Sequence, residues 1–159
     1  GKPVVTEPYT TDIGGKMVLT ASSGARVIAD QLGAYCASKA AVVNLAKHLA
    51  SELGNYRINV NAICPGVVAS GMTGPMLASE EWRRMLVRET PSGRWGEPRD
   101  VAKLVTFLLS DDASYINGED IMIDGGSTLH GAPRWYALDY TKSNAIDWES
   151  QNKRYPYAP

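Results

Sequence analysis

The sequence has few of the residues that cross-link or metallate a small domain. It contains two cysteines and two histidines in 159 residues, too few for a disulfide framework and without the spacing of metal ligands. Cys36 and Cys64 both lie in apolar stretches, so we expect free, buried thiols in a reducing compartment. No metal site is therefore predicted, and a chain of this length is sufficient for one domain with an ordinary hydrophobic core.

Long apolar runs and an excess of one charge are also missing. No run approaches the roughly 20 apolar residues that span a bilayer, and no signal-peptide pattern opens the chain. The formal net charge of −1 argues against a protein that binds the nucleic-acid backbone, since such proteins are usually basic. Between residues 80 and 89, three arginines lie among three glutamates, and this mixed charge is typical of a solvated helix face. The sequence thus predicts a cytoplasmic protein without nucleic-acid or membrane partners.

Apolar periodicity divides the first 129 residues into alternating strands and helices. The predicted elements are strands over residues 16–20, 57–64 and 121–123, and helices over residues 34–53 and 97–110. The first helix is expected to stop at Gly54 and the second near Ser110. Residues 66–96 form a long segment with one amphipathic stretch at 79–89, which is typical of a lid or binding loop. This alternation predicts an α/β fold with a parallel sheet and crossover helices.

The last thirty residues, 130–159, differ from the rest of the chain. They have no apolar period, but they carry Trp135, Trp148 and several tyrosines. We therefore divide the chain into a domain over residues 1–129 and an aromatic-rich arm over residues 130–159. The aromatic content favours an ordered arm that packs on a neighbour over a frayed tail.

Tyr35 and Lys39 stand four residues apart at the start of the first predicted helix and so share a face. A neighbouring ammonium stabilises a phenolate, so a Tyr-x-x-x-Lys pair can act as a general acid/base near neutral pH. The pair also fits an amphipathic helix with a lysine that extends to solvent. Ser22 follows the first strand, where doubly wound sheets bind ligands, although Ser22 and Ser23 also fit a polar turn that only ends the strand.

Several short motifs in a fixed order give these residues a context. The order is Ser22, Tyr35-x-x-x-Lys39, Asn61-Ala-Ile-Cys-Pro65-Gly66, Gly96-Glu-Pro98-Arg-Asp100-Val-Ala102 and Asp124-Gly125-Gly126. This series resembles the short-chain dehydrogenase/reductase family, and the resemblance extends from Gly15 through Gly126. It implies the C-terminal half of a doubly wound, Rossmann-like parallel sheet.

The resemblance also implies a function and the residues that carry it. It implies an NAD- or NADP-dependent enzyme that transfers a hydride between the nicotinamide and a secondary alcohol or ketone, such as a sugar or polyol. Tyr35 would be the catalytic acid/base, Lys39 would lower its pKa and bind the nicotinamide ribose, and Ser22 would hold the substrate oxygen. The remaining implied contacts are Pro65, Gly66, Val68 and Ser70 with the cofactor, where the family usually has Thr in place of Ser70, and Ser23 and Met72 with the substrate.

The first half of a dinucleotide site is not found in this sequence. Gly14-Gly15 precedes a strand instead of joining a strand to a helix, so it does not match the glycine-rich pyrophosphate turn. The family's catalytic Asn and its acidic ribose ligand have no candidates either. The chain begins with Gly1 and not with Met, and we expect that a longer polypeptide supplies the N-terminal half.

Two other functions remain open on the sequence alone. The first is a truncated, non-catalytic subunit or interaction module that retains the fold. The second is an epimerase or dehydratase, which shares Tyr-x-x-x-Lys, although the Pro-Gly and Asp-Gly-Gly motifs argue against it.

The resemblance implies a homodimer or homotetramer, and Ala37, Ala40 and Ala41 form a small-residue helix face suited to close approach.

Overall fold

Strands and helices alternate along the computed structural model, which describes residues 14–129. The elements are β1 (Gly15–Thr20), α1 (Gly33–Leu53), β2 (Ile58–Pro65), α2 (Gly74–Ala78), α3 (Glu80–Glu89), α4 (Pro98–Leu108) and β3 (Asp120–Ile123). Short 3₁₀ turns cover Ser23–Ala25, Gly54–Tyr56 and Asp111–Ala113. The predicted strands and long helices are confirmed, with boundaries that move by one or two residues. The predictions for residues 130–159 lie outside the described residues.

The three strands form one parallel sheet in the order β1-β2-β3. The register pairs Thr20 of β1 with Ile63 of β2, and Pro65 of β2 with Ile123 of β3. Since all three strands run in the same direction, their carboxyl ends lie at one edge of the sheet. The α/β fold class is therefore confirmed, and this edge is where doubly wound sheets place their ligands.

Both faces of the sheet are covered by helices. On one face, Val60 and Ala62 of β2 pack against Ala46 and Ala50 of α1, and all four are buried. On the other face, Ile63 of β2 packs with Leu108 of α4. Alternate residues of one strand thus enter two different cores, which explains why the middle strand is apolar along most of its length.

The segment between β2 and α4 contains more helix than the sequence predicts. The predicted amphipathic stretch is α3, whose N-cap Ser79 accepts a hydrogen bond from the Trp82 backbone N–H at 3.4 Å. The preceding helix, α2, was not predicted, because five residues beginning Gly74-Pro75 are too short to show a helical period. The Arg83 side chain donates to the Leu77 carbonyl at 2.6 Å and so ties α3 to α2.

Helix α1 ends at Leu53, directly before Gly54 as predicted, but Gly54 does not take the left-handed conformation. Gly54 has an ordinary right-handed φ of −57° and begins a 3₁₀ turn. The left-handed position belongs to Arg57, at φ 58°, whose backbone N–H donates to the Gly54 carbonyl at 2.9 Å. The chain therefore turns three residues later than the glycine suggests, and it enters β2 directly.

Two further expectations concern features that the described residues lack. Among residues 14–129, no helix combines the length and the apolar character that crossing a membrane requires. In the same range, no cluster of three histidine, cysteine, aspartate or glutamate side chains is placed to bind a metal ion.

Ala37, Ala40 and Ala41 of α1 are exposed, so the described part of the chain does not cover that helix face.

The start of α4 gives a prediction about pH. Hydrogen bonds from the Arg94 side chain and the Glu97 backbone N–H lower the pKa of Asp100 to about 2, from an ordinary value of 3.8. A lowered folded-state pKa means that this contribution to stability is complete above pH 3.8 and is lost as the pH falls through about 2. We expect the Asp100 carboxyl carbon to titrate in NMR with a midpoint near that lower value.

A matched variant isolates the cause of this shift. Arg94→Gln removes the cation whose Nη1 lies 2.6 Å from Asp100 Oδ2, so the Asp100 midpoint should move upwards while the Glu97 N–H bond remains. An unshifted midpoint in the wild-type protein would show that the capping pair does not form in solution.

Candidate functional site

The candidate residues lie where strands β1 and β2 end. The backbone N–H of Ala21, directly after β1, donates to the Ile63 carbonyl of β2 at 2.8 Å. Ser22 therefore leaves the sheet beside the last residues of β2, and neighbouring strands are about 4.8 Å apart. The sequence-predicted groups that follow β1 and β2 are thus brought to adjacent positions on one edge.

Ser22 and Tyr35 meet around Gly24. A Cβ placed on Gly24 would lie 3.5 Å from both Ser22 Oγ and Tyr35 Cε1, and 3.2 Å from Cys36 Sγ. The absence of a side chain at Gly24 thus lets the turn pack closely against the start of α1. Ser22 Oγ accepts a hydrogen bond from the Gly24 N–H at 3.1 Å, which leaves the Ser22 hydroxyl proton available to a substrate oxygen.

Lys39 connects the first turns of α1 to the end of β1. Its Nζ donates to the Thr20 carbonyl at 3.1 Å and lies 5.8 Å from the centroid of the Tyr35 ring. This is within the distance at which a cation and an aromatic ring attract each other. The structure therefore places Ser22, Tyr35 and Lys39 near one another at the end of β1, with Tyr35 and Lys39 on the same side of α1.

Gly66 lies in a tighter position than the sequence indicates. A Cβ at Gly66 would be 2.8 Å from Asp124 Cβ and 3.0 Å from Asp124 Cα, the residue that follows β3. The Gly66 backbone N–H also donates to the Ile123 carbonyl at 3.1 Å. The Pro65-Gly66 pair thus does more than end β2, because it allows the chain to pass directly over the end of β3.

The segment that continues from Gly66 is held by short-range bonds. Val68 forms an isolated parallel bridge with Gly96. Ser70 Oγ and Thr73 Oγ1 lie 3.1 Å apart, and Thr73 Oγ1 donates to the Val68 carbonyl at 2.6 Å. Thr73 was missed at the level of sequence, although serine and threonine side chains often bond to groups a few residues away in a turn. Met72, the predicted substrate residue, is 81% exposed.

Asp124 organises the turn after β3. Its carboxylate accepts hydrogen bonds from the Gly126 and Thr128 backbone N–H groups, each at 2.9 Å, and from the Thr128 hydroxyl at 2.7 Å. Burial by itself raises the pKa of Asp124, but these hydrogen bonds outweigh burial and lower it. The Asp-Gly-Gly motif is therefore a charged, self-capped turn that packs against Gly66.

A cleft of about 290 Å³ opens at the carboxyl ends of β2 and β3. Its lining includes Val67, Val68, Arg94, Trp95, Asp124 and Gly125. This volume is at the small end of the range for ligand pockets. Ser22, Tyr35 and Lys39 are not among its described lining residues, so the cleft does not surround the three polar side chains.

Cys64 is buried beneath these polar groups, and Cys36 is half-buried. Burial raises the pKa of the Cys64 thiol, the nearby Asp120 carboxylate adds to the rise, and a hydrogen bond with the Ser22 backbone opposes it. Both thiols are free, as expected. A protonated, buried thiol is inert, so Cys64 packs behind the Ser22 turn and does not act as a nucleophile.

Comparisons with known proteins identify relatives of this chain. A family model described as enoyl-(acyl carrier protein) reductase matches residues 5–128. An NAD-dependent glycerol dehydrogenase from Listeria innocua is 43% identical over 119 residues, which cover 73% of this chain and 45% of that protein.

Solved structures give the same relationship. A short-chain type dehydrogenase/reductase from Mycobacterium ulcerans superposes with a TM-score of 0.71 at 36% identity, covering 79% of this chain and 46% of that one. A gluconate 5-dehydrogenase from Burkholderia cenocepacia, solved in complex with NADP and tartrate, has a TM-score of 0.70 at 26% identity, with coverages of 74% and 46%. This chain thus spans about half the length of the relatives that it matches.

Proposed function

The chain belongs to the short-chain dehydrogenase/reductase family, and from this premise we propose that it forms the catalytic half of an NAD- or NADP-dependent oxidoreductase. The substrate would be a secondary alcohol or ketone, such as a polyol or a sugar acid. The observation that carries the proposal is the meeting of Ser22, Tyr35 and Lys39 at the end of β1. This assembly provides a hydrogen-bond donor, a phenol and an ammonium in one place.

The described residues fit one end of a dinucleotide cofactor. Pro65, Gly66, Val68 and Ser70 follow β2 beside the cleft and would lie against the nicotinamide, and Lys39 would bind its ribose. Among residues 14–129, no Gly-x-Gly-x-x-Gly series joins a strand to a helix, so a pyrophosphate cradle would have to come from a first half of the fold. The similar glycerol dehydrogenase is named NAD-dependent and the similar gluconate dehydrogenase was solved with NADP, which supports this choice of cofactor.

Tyr35, Ser22 and Lys39 would each have a separate role in carbonyl reduction. When bound, the nicotinamide supplies the hydride. Tyr35 protonates the substrate oxygen as general acid, and in the oxidation direction it removes the same proton as general base. Ser22 donates its free hydroxyl proton to that oxygen and so stabilises the developing negative charge. Lys39 places a positive charge 5.8 Å from the centroid of the Tyr35 ring, where it would bind the nicotinamide ribose.

We also propose a cytoplasmic homodimer or homotetramer. Two free thiols support a reducing compartment. The exposed alanines of α1, at positions 37, 40 and 41, support close approach of a second helix. Analytical ultracentrifugation of the native polypeptide tests the assembly, and a purely monomeric species contradicts it.

The test of function is a cofactor-linked assay of the native polypeptide that carries this sequence. We expect reduced nicotinamide to accumulate when NAD⁺ or NADP⁺ is supplied with a panel of polyols, sugar acids and hydroxysteroids, because hydride transfer to the ring changes its absorbance. Binding of NADH and NADPH is followed separately by their fluorescence. No turnover and no fluorescence change, together with stable binding to a partner chain, would favour the alternative of a non-catalytic subunit.

A further inference from the structure

The Asp120 carboxylate joins the turn that carries Ser22 to the helix that carries Tyr35 and Lys39. Asp120 begins β3, and its side chain is only 7% exposed. It accepts a hydrogen bond from Arg26 Nε at 2.6 Å and lies 3.1 Å from Lys47 Nζ of α1. Arg26 Nη2 also donates to the Asp120 backbone carbonyl at 3.0 Å. Arg26 therefore donates hydrogen bonds to both the side chain and the backbone carbonyl of Asp120.

Arg26 and Ser22 are the two ends of one 3₁₀ turn. Ser22 is the N-cap of the turn Ser23–Ala25, and Arg26 is its C-cap, with its backbone N–H donating to the Ser23 carbonyl at 2.9 Å. Beyond Arg26 the chain runs without helix or strand to Gly33, and Ile28 in this stretch is 97% exposed. The Arg26 side chain is thus a long-range anchor, placed just before a stretch that packs poorly within the described residues.

The charges at Asp120 favour this anchorage. Burial by itself raises the pKa of the Asp120 carboxyl, but hydrogen bonds from Arg26 and Lys47 outweigh burial and lower it. The carboxylate is therefore ionised at neutral pH, and charge-assisted hydrogen bonds of this kind are stronger than neutral ones. Loss of Arg26 would leave a largely buried charge with Lys47 as its remaining described cation.

We propose that Arg26, held by Asp120, is a positioning residue that fixes the Ser22 hydroxyl against the Tyr35 end of α1. This inference rests on the proposed function, because Ser22 is the residue that would orient the substrate oxygen. The packing around Gly24 leaves little freedom there, since Ser22 Oγ, Tyr35 Cε1 and Cys36 Sγ all lie within 3.5 Å of its virtual Cβ. Small displacements of an orienting group can cost up to about 100-fold in rate, so the anchor should affect catalysis.

The chain offers a matched control for this ion pair. Lys16 and Asp111 also form an ion pair between residues far apart in the sequence, and their Nζ and Oδ1 atoms lie 2.5 Å apart. That pair joins the amino end of β1 to the turn after α4, away from the edge that carries Ser22. Its loss removes an ion pair of similar sequence separation without touching the Ser22 turn, and the Asp111 side chain, at 97% exposed, is at least as accessible a position for substitution as Arg26.

The decisive experiment compares Arg26→Gln, Asp120→Asn and Asp111→Asn in the native polypeptide. We expect kcat to fall by between about 10-fold and 100-fold in the first two variants, while KM for the nicotinamide cofactor stays close to the wild-type value. Asp111→Asn should leave both parameters unchanged. Arg26→Lys, which keeps the charge but loses the planar fork, should recover part of kcat. Wild-type kcat in Arg26→Gln overturns the proposal, as does an equal loss in Asp111→Asn.

A second measurement does not depend on activity. Hydrogen exchange of the Gly24, Ala25 and Arg26 amides reports on the turn itself, since all three donate within it. We expect faster exchange in Arg26→Gln than in Asp111→Asn. If the wild-type protein shows no turnover, the proposed function fails, whereas equal exchange in the two variants overturns the anchor. Arg26→Gln replaces an exposed side chain, so this test survives even if Asp120→Asn does not fold.

Discussion

Tyr35→Phe is expected to lower kcat of the native polypeptide by about 100-fold to 10,000-fold, the range that general acid/base catalysis contributes. The variant removes only the phenolic oxygen, while the ring keeps its contact with Gly24 and its place near Lys39. Cofactor affinity, measured by NADH or NADPH fluorescence, should therefore change much less than kcat. The measurement is steady-state turnover with the best substrate of the panel.

Tyr56→Phe is the control for this loss. Tyr56 is 70% exposed and lies in the 3₁₀ turn beyond the far end of α1, a helix of 21 residues that is about 30 Å long. Its hydroxyl is therefore remote from Ser22 and Lys39, and its removal should leave kcat unchanged. Turnover near the wild-type rate in Tyr35→Phe would contradict the assignment of Tyr35 as the general acid/base.

Gly66→Ala is expected to weaken both the fold and the site. The added methyl group would meet Asp124 Cβ at 2.8 Å and Asp124 Cα at 3.0 Å, and the Cα is backbone that cannot rotate away. Overpacking of this kind costs about 1–3 kcal/mol of unfolding free energy. Any relief must move the chain after β2 or the turn after β3, so we also expect a lower kcat/KM. Denaturant unfolding and steady-state kinetics of the same preparation measure the two effects.

The control for this substitution is Gly71→Ala in the same segment. A Cβ at Gly71 has no neighbour within 4 Å, and its φ is not in the left-handed region. Its substitution therefore tests the effect of losing a glycine without a steric clash. Equal stability of the two variants would contradict the close contact between Gly66 and Asp124.

Much of the secondary structure could be predicted because local periodicity determines it. The middle strand is rich in Ile, Val and Ala, although Asn59 and Asn61 interrupt one of its faces, and the recurring leucines of α1 follow a helical period that holds to its last residue. The five residues of α2 carry no such signal, since one helical turn around Gly74-Pro75 looks like any loop. The unusual length of the segment over residues 66–96 and its amphipathic stretch, which is α3, were therefore recognised, but α2 was not.

The candidate site was predicted through spacing and order. The interval between Tyr35 and Lys39 is enough to place both on one helix face, and the ordered motifs supply the family. No spacing, however, reports that Gly24 lies between Ser22 and Tyr35, or that Gly66 packs on Asp124. These contacts depend on where two chain segments cross, which local propensity does not encode.

The sequence by itself determined the alternation of strands and helices, the parallel sheet and the residue types available for hydride-transfer chemistry. Those properties depend on side-chain period and on motifs within a few residues of each other. Only the tertiary structure decided the packing of Gly66 on Asp124 and the ion pairs of Asp120 with Arg26 and Lys47. These contacts join residues between 58 and 94 positions apart in the chain, and close packing of the folded sheet and helices brings them together.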